Sequence, residues 1–556
     1  MISELYGVTN WDYDFAGHKL QGDWQMALGV TLRAPHLAWT SMEGEAKRDY
    51  PASIFYQSPW YQEYKLIESY FARLSMILSR GHAVVKIGII HPIESCWSVW
   101  GTMEKTGELV RELDRKFLYM TDLLLKNGLD FDFISEELLP GQLEKIDRNE
   151  IKIGEMTYSV ILVPFMKTIR SSTADILNLF NKTGGQIIFC GEIPAYVDGC
   201  SSDICEKMAQ KCLCIGDWEG KLTHILSPLK EAELYYEDGS GAEDFLMQIR
   251  EEQDERWLFL AQKNLPQVKE VANSKTLIVK IKGLWECSIW DAMSGDVKTA
   301  EHWKAEKGVT IVRQKLYGHD SLLLHLKKLE NERAEVSTEK YITLGAKEET
   351  IFGKVPVRLS EPNVLVLDIA EYSFGDEAFK GPEEILRIDD ELREKLGFPK
   401  RMEAWPQPWV SISKENNSNG KLELRYYIES EVEIGKVTLA LEQTEETTVF
   451  WNGKLVEQKI NGWYVDRKIL TIPLGKLQKG KNILCLERNF HQSSNLEQVF
   501  LLGDFGVQVF GNKAVVTEPV RDLYFGDWSK QGLAFYGGKC NLFYYSRERR
   551  RSAYSH

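Results

Sequence analysis

The chain has 556 residues, 43% apolar and 27% charged, the make-up of a globular protein with room for about three or four domains. Collagen-like and disulfide-scaffold classes are excluded. With 68 Lys and Arg against 82 Asp and Glu, a formal charge of −14, and no basic stretch before the extreme C-terminus, the sequence argues against nucleic acid as a partner.

No apolar run reaches the roughly 18–20 residues of a membrane span, so no membrane association is expected. Met1-Ile-Ser-Glu-Leu-Tyr6 lacks the basic and apolar regions of a secretory signal, and as written the chain is expected in the cytoplasm. Nine irregularly spaced cysteines fit reduced thiols. Cys200, Cys205, Cys212 and Cys214 lack the paired knuckles and nearby His residues of a zinc site, so free thiols are the better reading.

In chain order, Asp23 to Gly29 reads as a helix end stopped by glycine, and Val30 to Trp39 as a β-prone run broken by Pro35. A polar loop from Thr40 to Ser58 leads into a helix starting near Pro59. Its apolar stripe is Trp60, Tyr64, Ile67, Phe71, Leu74 and Leu78. Helix, strand, long loop, helix is how one repeat of a (β/α)8 barrel reads.

Residues 83–245 alternate strands and helices, with strands at Val84 to Ile90, Asp130 to Ile134, Ser159 to Val163 and Ile187 to Cys190, and helices at Glu108 to Asn127 and Ser172 to Thr183. This predicts a doubly wound parallel sheet of amidotransferase-like, Rossmann-like type. Its first strand-to-helix junction, His91 to Cys96, has no phosphate-cradling glycines. Val163-Pro-Phe-Met166 has no Cys or Ser for a nucleophile elbow, so the domain is expected to be non-catalytic. A His91/Cys96 dyad would want an orienting third group, and the sequence shows none.

Residues 246–332 turn β-rich and predict a small β-sandwich, with Lys327 to Lys340 as a linker or exposed edge. Residues 333–556 hold a second β region whose strands flank the turns Asn416 to Gly420, Asn452-Gly453 and Lys479 to Lys481.

The segment densest in chemistry is His36-Leu-Ala-Trp39-Thr-Ser-Met-Glu43-Gly-Glu45-Ala-Lys47-Arg48-Asp49-Tyr50-Pro51. Glycosidic hydrolysis needs two carboxyls, one protonated and one ionised. Lys47 and Arg48 would keep Glu45 ionised, and Trp39 and nearby tyrosines offer flat apolar faces to a sugar ring. The plainer reading is a solvated loop with Arg48 and Asp49 in a surface ion pair, and composition alone favours it.

Leu5-Tyr-Gly-Val-Thr-Asn-Trp11, Gly22-Asp-Trp-Gln-Met-Ala-Leu-Gly-Val30, Pro35-His-Leu37, Gly44-Glu-Ala-Lys-Arg-Asp-Tyr-Pro51 and Phe71-Ala-Arg-Leu74 resemble the last barrel units of α-L-rhamnosidases of glycoside hydrolase family 106. Thr448-Val-Phe-Trp-Asn-Gly-Lys-Leu455 and Trp463-Tyr-Val-Asp466 resemble galactose-binding-like jelly rolls attached to such enzymes. The resemblance implies residues 1–82 as the C-terminal part of a catalytic barrel, followed by the Rossmann-like domain, the small sandwich and the jelly roll. It further implies inverting two-glutamate hydrolysis, a rhamnose-containing or similar oligosaccharide or polysaccharide as partner, and calcium associated with substrate binding. Glu45 is then the candidate catalytic base with Glu43 as its rival, and His36, Trp39, Glu43, Arg48 and Asp49 the candidate substrate-binding residues.

A complete barrel takes about 250 residues, and far fewer precede residue 83. The expectation is therefore an N-terminally truncated enzyme with little turnover alone, and its alternative a non-catalytic carbohydrate-binding or assembly protein. Trp451, Trp463 and Tyr464 are the aromatics to test, although large aromatics are more often core. The basic run Arg547 to Arg551 departs from the resemblance and reads as a ragged end.

Overall fold

The computed structural model describes residues 1–48, 54–265, 274–300, 302–337, 352–401 and 420–543. Asp49, most of the 416–420 turn and the run at 547–551 lie outside them. The chain forms two compact units: Met1–Leu5, Asp14–Ala34 and Lys65–Thr343 make the first, and Tyr6–Tyr13, Pro35–Tyr64 and Leu344–His556 the second.

In the first unit, strands Ile2–Leu5 and Leu32–Pro35 pair as a two-stranded sheet. The second ends at Pro35, which has no N–H to continue a ladder. Two short strands cannot curve to closure by themselves, and no closed barrel occurs among the described residues. Helix α1 (Phe15–Ala27) is capped by Asp14, whose carboxylate accepts from Gly17 N at 2.8 Å, and ends before Gly29 at φ +97°. Helix α2 (Lys65–Leu78) buries Ile67, Tyr70, Phe71, Leu74, Ile77 and Leu78. Residues Tyr61–Glu63, where the stripe predicts helix, form a separate 3-10 turn. The two helices approach so closely at Gly22 that a Cβ there would lie 2.1 Å from Phe71 Cζ. Beside this contact, buried Asp23 accepts from Lys19 Nζ (2.6 Å) and Tyr70 OH (2.7 Å), and Lys19 also reaches Ser321 Oγ at 2.9 Å.

The parallel sheet runs Leu213–Ile215, Gln186–Cys190, Val160–Pro164, Ile87–Ile90, Phe131–Ile134, a doubly wound order. Its three central strands are buried on both faces, as parallel strands covered by helices must be. A three-stranded meander, Leu143–Asp147, Glu150–Ile153 and Met156–Tyr158, precedes the central strand. The small sandwich follows. One sheet is built on Ser274–Lys282 and Val309–Tyr317, the other on Glu255–Gln262 and Leu322–Lys328, with Arg333–Ser337 at an edge of the first and His82–Ala83 at an edge of the second. Trp303, Leu258, Leu324 and Val279 fill the space between the sheets.

The second unit is a larger two-sheet β-sandwich. A five-stranded sheet runs Asn363–Leu367, Val499–Gly503, Ile434–Leu441, Asp466–Leu477, Gly462–Tyr464. It faces a larger sheet whose centre is Lys421–Ser430 paired with Gly480–Asn489. Alternation sends Leu422, Leu424, Tyr426 and Ile428 inward to meet Val437, Leu439, Ile472 and Leu501. Trp451 belongs to this core, 6% exposed, with its indole N–H donating to Lys476 O at 3.0 Å. Asn452 and Gly453, at φ +51° and +77°, make the expected tight hairpin turn. A three-stranded sheet, Asp522–Leu523, Val355–Leu359 and Cys540–Leu542, lies within the same unit.

Candidate functional site

The Gly44 to Arg48 segment is a 3-10 turn within the second unit. Gly44, at φ +55°, donates its N–H to Glu442 Oε2 at 2.8 Å, and a Cβ there would meet the Asn495 side chain at 3.0 Å. Lys47 Nζ lies 2.5 Å from Glu442 and 3.1 Å from Glu497. Arg48 holds Glu497 with two parallel bonds of 2.7 Å, and Arg401 reaches the same carboxylate at 2.7 Å. The Glu442 and Glu497 side chains are 5% and 3% exposed, so the cluster is buried. Burial pushes the Glu497 carboxyl up, but the Arg48 bond and the fields of Lys47 and Arg401 outweigh it and bring it down to about 2. Burial raises Glu442 against the pull of Lys47.

Glu45 sits at the rim of this cluster. One oxygen is 2.9 Å from Arg48 Nη2 and 3.4 Å from Arg401 Nε, and the other is 3.4 Å from Arg48 Nε. Two guanidinium groups thus occupy the carboxylate expected to act as base. Glu43 lies apart, 3.5 Å from Lys468 at the surface. His36 packs beside Gly7, with Nδ1 3.3 Å from Leu37 O. Half-buried Trp39 accepts at its carbonyl from Gln57 Nε2 at 3.2 Å. The structure therefore brings together Glu45, Lys47 and Arg48, and leaves His36, Trp39 and Glu43 outside their cluster. The partners Arg401, Glu442 and Glu497, more than 350 residues downstream of Glu45, carry no motif that the sequence could have flagged.

A second anchor ties the loop to the five-stranded sheet. Buried Asp466 accepts from Met42 N (2.9 Å), Tyr56 OH (3.0 Å), Gln57 Nε2 (3.1 Å) and Lys468 N (2.9 Å). Burial alone would raise its carboxyl, yet these donors hold it below the usual range.

Beside this anchor lies a groove of about 900 Å³, within the usual range of ligand sites. Its floor is the face of the five-stranded sheet turned away from the main core, where Thr438, Thr471 and Leu502 alternate with inward Val437, Leu439 and Leu501. The edge strand Gly462–Tyr464 presents Trp463, 50% exposed, in edge-to-face contact with Tyr56 at 5.8 Å. Tyr464 stands against Phe500 at 5.2 Å. Arg358, Glu361, Lys436, Asn461, Asp504 and Arg521 complete a polar lining, with Arg521 and Asp504 paired at 2.5 Å.

At the carboxyl end of the parallel sheet, Ser95 and His91 are engaged by the protein itself. Ser95 Oγ accepts from the amides of Lys167 (2.9 Å) and Thr168 (3.2 Å), and His91 packs edge-on against Phe117 and Phe133 at 5.3 and 5.5 Å. Burial lowers the His91 pKa. Among the described residues, Glu423, Cys485 and Glu487 form the one cluster of potential metal ligands. Lys421 pairs with both carboxylates, at 3.1 and 2.8 Å, and a thiol is foreign to calcium's oxygen shell, so this cluster does not fit the calcium implied by resemblance.

No protein-family model matches the chain, and no curated protein matches it. Among solved structures, a rhamnosidase from Novosphingobium sp. PP1Y aligns over 89% of this chain and 47% of its own, at 12% identity and TM-score 0.45. A catalytic mutant of a GH42 β-galactosidase from G. stearothermophilus aligns over 56% of this chain and 51% of its own, at 9% identity and TM-score 0.40. The α-L-fucosidase isoenzyme 2 from Paenibacillus thiaminolyticus covers 57% of each, at 9% identity and TM-score 0.35. These neighbours are glycoside hydrolases, and the chain spans about half the length of the rhamnosidase it matches.

Proposed function

We propose that the chain is a carbohydrate-active protein whose sandwich unit binds a saccharide in the groove beside Trp463. The observation that carries this reading is one large half-exposed aromatic face, with Tyr56 and Tyr464 beside it, opening on a cavity ringed by amide, carboxylate and guanidinium groups. Sugars offer apolar C–H faces to stack and hydroxyls to bond, and such a surface serves both. Titration calorimetry against a panel of rhamnose-containing, galactose-containing and mannose-containing oligosaccharides tests it. Trp463→Ala should weaken binding by about tenfold or more, the loss of one stacked ring. Absence of binding across the panel overturns the reading.

The more specific reading is inverting, α-L-rhamnosidase-like hydrolysis with Glu45 as base and rhamnose-bearing glycans as substrate. Its support is the Gly44 to Pro51 string. The guanidinium groups on both oxygens of Glu45 favour a binding role for this unit over a catalytic one. Release of an aryl leaving group from an α-L-rhamnoside by the purified chain, lost in Glu45→Gln, would support hydrolysis. Equal release by the variant would remove Glu45 from it.

A further inference from the structure

We propose that the groove selects an acidic oligosaccharide, one whose sugar rings carry a carboxylate or a sulfate ester. This rests on the reading of the groove as a saccharide site and adds the charge of the ligand. The chain as a whole carries −14, a background that repels anions, so an anionic ligand would need a local exception. The groove is that exception: three cations, Arg358, Lys436 and Arg521, line it against two carboxylates, Glu361 and Asp504. Asp504 is consumed by Arg521 at 2.5 Å. Arg358 and Lys436 are in no ion pair among the described residues, whereas most other cations of this unit are held by a carboxylate. Both are exposed and, among the described residues, free of any ion pair, so a ligand carboxylate or sulfate can take the place of the water on their donors. Glu361 is the opposing charge and leaves the lining net positive by one.

Strand register separates the two ends of the groove. Val357 N donates to Arg521 O at 2.9 Å, which sets Arg358 on the strand beside Arg521. Lys436 precedes Val437, the partner of Gly503, and so stands next to the Asp504 end. Trp463 pairs with Leu470, which pairs with Leu441 two strands in from the sheet edge. At about 3.3 Å per residue and 4.8 Å per strand, Trp463 and Lys436 are on the order of 15–20 Å apart. A ligand that meets the aromatic and the cations together spans several sugar residues, with its charge at the end away from Trp463.

The test is calorimetry of the full chain with oligogalacturonate, its methyl ester and a sulfated galacto-oligosaccharide of matched length, at low and high salt. The expected result is binding of the uronate, the sulfated sugar or both about tenfold tighter than the ester, with the advantage shrinking as salt rises. The pair of acidic ligands identifies which anion is preferred. Arg358→Ala with Lys436→Ala should bring acidic binding down to the ester's level, while thermal melting reports an intact fold. Ester and acid binding equally, or the double variant keeping the preference, overturns the charge selectivity and leaves the saccharide reading standing. No binding of any of the three, together with silence across the neutral panel, overturns both.

Discussion

Glu45 and Glu497 share Arg48 and Arg401, and their burial decides what each is worth. Glu45 is 33% exposed at the rim, whereas Glu497 is 3% exposed and touches Lys47, Arg48 and Arg401. A rim ion pair is screened and contributes about 0–1 kcal/mol, while removing one partner of a buried network strands its counter-charges at about 3–5 kcal/mol. Glu45→Gln should therefore lower the urea midpoint of the second unit slightly, and Glu497→Gln should lower it several-fold more. Equal losses would mean that the network is not organised around Glu497. The same geometry shows what was legible in the sequence. Lys47 and Arg48 announce an ion pair, and the plain reading placed Arg48 with Asp49, which lies outside the described residues. The buried partners Glu442 and Glu497 were invisible because local pattern says nothing about which distant strand end will supply a carboxylate. Trp451 and Trp463 were also indistinguishable from composition. Only the alternation of Thr447, Val449 and Trp451 into the core, and the edge position of Gly462–Tyr464, separates them.

Strong periodicity made the elements readable. The stripe Ile67, Phe71, Leu74, Leu78 is the buried face of α2, and the three central parallel strands stand as near-continuous apolar runs. The meander at 143–158 escaped because its strands are three to five residues long and lie largely outside the sheet's core pattern. The start of α2 was misplaced because Trp60 and Tyr64 fit a helical stripe that a 3-10 turn interrupts. What no pattern revealed is the close approach between helices. Gly22 looks like an ordinary mid-helix glycine, a weakness of about 1 kcal/mol that alanine would relieve. With Phe71 Cζ 2.1 Å from a Cβ at that position, the sign reverses. Gly22→Ala should destabilise the first unit by about 1–3 kcal/mol through overpacking. Adding Phe71→Leu should recover part of the loss, and an unchanged or raised melting temperature for Gly22→Ala alone would refute the contact.

Two buried carboxyls, Glu497 in the second unit and Asp130 in the first, carry opposite acid–base signatures, and each gives its unit its own response to pH. In the second unit Glu497 is held down to about 2, against roughly 4.3 for an unperturbed glutamate. The unfolded state takes up that proton first as pH falls, so the stabilisation is whole above about 4.3 and is lost between there and 2. Asp466, also held low, adds to the same loss. In the first unit burial pushes Asp130 up to about 7, the Phe131 amide pulling it back and Asp132 adding to the rise. Here the folded state holds the extra proton, so stability falls as pH rises from about 4 to 7, and the charged form must then be carried in a desolvated place. Asp132 and Glu136 are raised by burial in the same direction. Urea titrations read unit by unit, by pulse-labelled hydrogen exchange of peptides from each, should show the first unit more stable at pH 5 than at pH 8. Below about pH 4 the second unit should weaken further as Glu497 takes up its proton. Asp130→Asn should flatten the first unit's slope between pH 5 and 8 by on the order of 1–2 kcal/mol, and leave the second unit's acid limb unmoved. A slope that survives the substitution would assign the first unit's pH dependence to Asp132 and Glu136 instead.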